Sequence, residues 1–158
     1  MLTGQMSSEI AVYDNACDFS SSIPTIGHIL QSQGYRTTVS GKLHFIGADQ
    51  NHGFEERLTT DIYPTDFSWT PSWGDEQLLG DYFRTSTSEL RDAGIAETSV
   101  QLEFDREVAD RAVAKLMDIG TTRNYEPYCL IASFTHPHDP FVIPKQYWDG
   151  IQVKYYQI

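Results

Sequence analysis

The feature that most constrains the fold of this chain is the run Ser133-Phe134-Thr135-His136-Pro137-His138-Asp139-Pro140-Phe141. Residues 128–134, which lead into it, are a short apolar stretch that reads as a fully buried strand. Pro137 and Pro140 then bar a helix and fix φ at two points. The two imidazoles are thereby held in a turn at the carboxyl end of a strand, where open α/β sheets place their ligand sites. A second cluster, Ser40-Gly41-Lys42-Leu43-His44-Phe45, repeats the logic. A strand-like 37–40 meets a glycine, then a cation and an imidazole two residues apart. Together the clusters point to a site that handles an anion.

The rest of the chain supplies an α/β order around these two points. Residues 5–22 lack any period and read as a loop. Residues 24–34 read as a helix: Pro24 suits the first turn, Ile26, Ile29 and Leu30 make an apolar stripe, and Gly34 suits the C′ position. A strand follows over 35–40. Residues 41–92 form a long aperiodic stretch, a length that in a compact domain is commonly functional. The spacing predicts a helix over 98–119 on Val100, Phe104, Val108, Ala112 and Leu116, ended by Gly120. Residues 128–134 are the second strand, expected parallel to the first because a helix crosses between them. A Tyr147-Trp148 anchor closes the chain.

Composition narrows the partners. A chain of 158 residues with 40% hydrophobic and 13% aromatic content has the length of one domain and can bury a core. Its formal charge of -11 disfavours nucleic acid, which asks for a basic face. Cys17 and Cys129 show neither disulfide nor metal-ligand spacing, and Cys129 reads as a small apolar residue in its strand. No leader and no apolar run near 18 residues is recognised, so the expectation is a cytoplasmic protein with no membrane partner. Among the other histidines, His28 reads as a helix-face residue. His52 fits a turn or a pocket equally well.

The segments Ile23-Pro24-Thr25, Gly34-Tyr35-Arg36-Thr37 and Ser40-Gly41-Lys42-Leu43-His44-Phe45 resemble the sulfatase branch of the alkaline phosphatase superfamily. The run from Asp49-Gln50-Asn51-His52-Gly53-Phe54 through Asp61-Ile62-Tyr63-Pro64 to Asp66-Phe67-Ser68-Trp69-Thr70-Pro71 is similar to the choline-sulfatases within it. So is Ser133 to Pro140. The resemblance spans essentially the whole chain. It implies an alkaline-phosphatase-like sandwich, with a mostly parallel sheet flanked by helices, and hydrolysis of a small-molecule sulfate ester, foremost choline sulfate.

By the same resemblance, Lys42 contacts sulfate and the nucleophile, His44 hydrogen-bonds the nucleophile, and His138 serves the leaving-group oxygen. His136 supports the substrate-binding turn. Trp69 is either core or a cation–π wall for a trimethylammonium group. The family's formylglycine and its divalent cation, expected to be Ca²⁺, belong to motifs this chain does not carry: it has no C/S-x-P-x-R and no paired aspartates. Residues 1–158 are therefore expected to be part of a catalytic domain, without metal ligands and without activity alone. The longer parent would be an active enzyme and could be a homo-oligomer. Tyr82-Phe83-Arg84-Thr85-Ser86 departs from the choline-sulfatase pattern. Another leaving group, a phosphate or phosphonate monoester, or a non-catalytic remnant remain the alternatives.

Overall fold

At the centre of the computed structural model, which describes residues 1–62, 88–122 and 126–150, a strand alternates its side chains between two helices. This strand, β1 (Arg36–Gly41), is buried from Thr37 onward. On one face the Thr37 hydroxyl accepts from Gln31 Nε2 of α1 (Ile26–Ser32) at 3.2 Å. On the other, Ser40 Oγ donates at 3.1 Å to the carbonyl of Val108 in α3 (Val100–Thr121). The period of two in β1 thus builds a helix–sheet–helix sandwich.

The sheet is parallel. β1 lies between β2 (Glu56–Arg57) and β4 (Tyr128–Ser133), with register from Arg36↔Tyr128 to Gly41↔Ser133. The expected strands and their parallel pairing are both present; β2 was hidden in the aperiodic stretch. A second small parallel pair joins β3 (Gly94–Ile95) to β5 (Val142–Ile143). Short helices α2 (Ser88–Arg91) and α4 (Lys145–Trp148) complete the described elements. None of the helices among the described residues is long and apolar enough to cross a membrane.

The ends of α1 are set by local chemistry. Pro24, expected in the first turn, precedes the helix; Thr25 is the N-cap, and His28 returns the bond as the N3 member of a capping box. Gly34, at φ 82°, donates to Gln31 O, and Tyr35 N reaches Leu30 O at 3.0 Å, a Schellman closure. The expected apolar stripe of α1 is only partly covered: Ile26 and Ile29 are exposed, and Gly27 makes the close contact, against the backbone of Gly53.

Four further expectations need correction. Gly120 does not stop α3, which runs to Thr121. Its buried residues are Gln101, Val108 and Ala112, with Phe104, Asp105, Lys115 and Ile119 half-buried, while Val100 and Leu116 are exposed. Steps of four residues drift about 40° per step at 3.6 residues per turn, so they leave one face within three turns. Strand β4 is half-buried rather than fully buried, with Phe134 exposed. Tyr147 and Trp148, expected as an anchor, are also exposed.

Candidate active site

Two loops leave the same end of neighbouring strands. Gly41, at φ 110°, lets β1 close on β4: a Cβ there would sit 1.9 Å from Ser133 O. Lys42 N then donates to Ser133 O at 3.0 Å, and Ser133 Oγ donates to Lys42 O at 2.6 Å. The Lys42–His44 loop and the turn from Thr135 to Asp139 are thereby tied side by side at the carboxyl ends of β1 and β4.

The first loop is pinned from below by a carboxylate. Asp61 Oδ2 accepts from the backbone N–H of Leu43 at 3.0 Å and of His44 at 2.7 Å. Those bonds hold His44 at φ 61°, an uncommon value for a side-chain-bearing residue. Arg57 pairs with Asp61 at 3.3 Å, both side chains over nine-tenths buried. Its remaining donors reach Thr59 O at 3.0 Å and Gln50 O at 2.7 Å. The buried ion pair is therefore bonded on the cation side as well, the condition for keeping charge out of water.

Lys42 and His44 line one cavity of ≈ 470 Å³, with Asp14, Cys17, Phe19 and Phe45 among its walls. Burial lowers the His44 pKa; Asp61 and the backbone of Asn15 oppose that, and the nearby Lys42 and His138 reinforce it. The imidazole is biased toward its neutral form, able to accept or relay a proton.

The second turn is pinned from the side by α3. Asp105 Oδ1 accepts from Thr135 N at 2.6 Å, and Oδ2 accepts from His136 N at 3.0 Å. The same Oδ2 lies 2.6 Å from His136 Nδ1, while Nε2 of that ring faces Val142 O at 3.1 Å. Burial would raise the Asp105 pKa; the N–H groups of Thr135 and His136 and the His136 ring outweigh it and hold the carboxyl below its ordinary value. Gln101 Nε2 donates to Asp139 O. His138 stands exposed at the turn, its Nδ1 2.5 Å from Asp139 Oδ1.

Lys42 and His44 therefore share a cavity. His138 is not one of its lining residues, although its charge is felt at His44. His136 is a turn-holding residue, and Trp69 lies outside the described residues. His52 takes the turn alternative: with φ 39° it sits in a turn closed by Phe54 N donating to Asn51 O at 2.9 Å, and its ring, fully buried, is stacked with Phe19 and edge-on to Phe45, ring centroids 4.3 Å away in each case. The sequence reading missed Arg57, Asp61, Gln101 and Asp105. Gln101 and Asp105 could have been found as polar members of the three-and-four spacing that continues through Val108 and Ala112.

Parallel strands with helices on both faces define an α/β protein, and Lys42 and His44 stand at the carboxyl end of β1. The family model for sulfatases matches residues 1–157, and the chain belongs to the sulfatase family. It is 48% identical over 151 residues to a choline-sulfatase of Rhizobium meliloti (strain 1021), a match covering 94% of this chain and 30% of that protein. The chain thus spans less than a third of the length of this curated relative.

Proposed function

We propose that these residues form the sulfate-side half of a sulfate ester hydrolase site, and that the ester is choline sulfate. The observation that carries the reading is the lock between Gly41, Lys42 and Ser133, which sets the Lys42–His44 loop and the turn bearing His138 side by side. Lys42 supplies positive charge to the sulfuryl oxygens as charge builds on them. His44, biased toward neutrality, takes or relays the proton of the attacking group. His138, exposed at the turn, serves the leaving-group oxygen. The choline half of the proposal rests on the similarity to the Rhizobium protein.

Among the described residues no three His, Cys, Asp or Glu side chains converge as a cation site requires. Residues 1–158 also lack the motif that yields formylglycine. The described residues form no site for the cation, so the chemistry proposed for this chain is that of Lys42, His44 and His138. The chain is accordingly proposed as one part of a catalytic domain, silent in turnover by itself. Cys17 and Cys129, both free, suit the reducing cytoplasm proposed for it.

The test is a titration of the 158-residue chain with choline sulfate, read at the ring signals of His44 and His138. Saturable shifts at both are expected, weakened about 10- to 100-fold in Lys42→Ala by loss of a charge-assisted bond. Inorganic sulfate should compete and free choline should compete less well. No saturable shift, or tighter binding of phosphocholine than of choline sulfate, would overturn the reading.

A further inference from the structure

Two carboxylates do the same thing in different places: each accepts two consecutive backbone N–H groups of a strand-end loop. Asp61 does so beneath Leu43 and His44, from the loop that follows β2. Asp105 does so beside Thr135 and His136, from the second turn of α3. Asp105 adds what Asp61 does not, a ring contact to a histidine of the loop it holds. Asp105 meets Nδ1 and the Val142 carbonyl faces Nε2, so the His136 ring is held at both nitrogens.

We propose that Asp105 is the positioning residue for His138. It acts through His136, by fixing the ring and backbone of the turn that carries the His138 imidazole at the carboxyl end of β4. This rests on the sulfate-ester reading of the site. His136 lies two residues before His138, and the turn between them is closed by His138 N to Thr135 O at 3.1 Å. Gln101 holds the far side of the turn at Asp139 O. Both clamps come from the buried face of α3, so the helix that packs on the sheet also sets where His138 stands. The carboxylate does not oppose an anionic ligand, because its charge is met by three N–H donors of the turn.

The test uses the 158-residue chain with nitrogen-labelled histidine. In the native chain His136 and His138 should each give one sharp set of ring signals. Asp105→Asn should shift the His136 Nδ1 signal and broaden or split the His138 signals. It should also weaken choline sulfate about tenfold at His138 while the His44 loop keeps its ligand-free spectrum. Asp105→Glu should recover part of the His138 set. Val108→Ala, which loosens the same helix without touching the turn, is the control. An Asp105→Asn chain with unchanged His136 and His138 signals would overturn the proposal. So would a Val108→Ala chain reproducing the whole effect, since the role would then be helix stability. If choline sulfate binds nowhere, the ligand-free spectra still decide the role of Asp105, and the sulfate-ester reading fails alone.

Discussion

Gly41 and Ser133 stand in register at the ends of β1 and β4, so close that a single methyl on Gly41 would meet the Ser133 carbonyl. Two penalties coincide at Gly41, a left-handed φ and a backbone clash that no rotamer relieves. Gly41→Ala should destabilise the chain by at least about 2 kcal/mol, measured by urea unfolding. Gly34→Ala, where φ is also positive but a Cβ meets open space, should cost about 1 kcal/mol. Equal costs would deny the close approach.

Acid should destabilise this fold in two stages. His52 and His44 are both held below the ordinary imidazole value, burial being the main cause in each. Below about pH 6.5 the unfolded chain therefore binds protons that the folded one refuses, and stability falls as pH falls. Asp49 is lowered chiefly by the His52 backbone N–H, and Asp105 by its turn donors against the opposing effect of burial. Their stabilisation is present above about pH 3.9 and is lost on further acidification. Melting temperatures at pH 8, 6.5 and 5 should decrease in that order, with a shallower slope in His52→Gln. A slope unchanged in that variant would remove His52 from the first stage.

Arg57 and Asp61 should show strong coupling. Removing the acid alone leaves a guanidinium in a site less than a tenth exposed, a loss of about 3 kcal/mol. Asp61→Asn and Arg57→Met singly, then together, make a double-mutant cycle in which the pair should cost clearly less than the sum. Additive costs would mean that each residue acts through its backbone contacts alone.

The face of α3 makes a sharp stability contrast. Val108 is fully buried, so Val108→Ala should cost about 2 kcal/mol. Leu116 is exposed, so Leu116→Ala should stay within about 0.5 kcal/mol. The reverse order would restore the four-residue stripe as the packed face.

With choline sulfate and added Ca²⁺, turnover by the 158-residue chain should remain more than about a hundredfold below the 10 s⁻¹ typical of enzymes. Sulfate release measured against time checks this. A faster rate would place the nucleophile among these residues.

The sheet was legible because its signals are local. An apolar run ending at Thr135-His136-Pro137 and a strand ending at Gly41-Lys42 each announce a strand and its exit, and the crossing helix dictates parallel order. Lys42 and His44 were legible for the same reason, as polar residues directly after a strand. Asp61 and Asp105 were not. A carboxylate that accepts backbone N–H groups of a loop distant in sequence has the same local signature as one facing water. The turn at Asn51-His52-Gly53 was legible, but the burial of the His52 ring was not, because the aromatic partners that cover it are Phe19 and Phe45.

Because Gln101 and Asp105 lie on the same seam of α3 as Val108 and Ala112, the helix works as a ruler. An inserted or deleted residue before Val108 would rotate the clamps about 100° and shift them about 1.5 Å along the axis relative to the core. The turn bearing His136 and His138 would lose its grip while the sheet still formed. Length changes in the first two turns of α3 should therefore be tolerated far less than length changes beyond Ile119, and family members should differ in helix length at the carboxyl end.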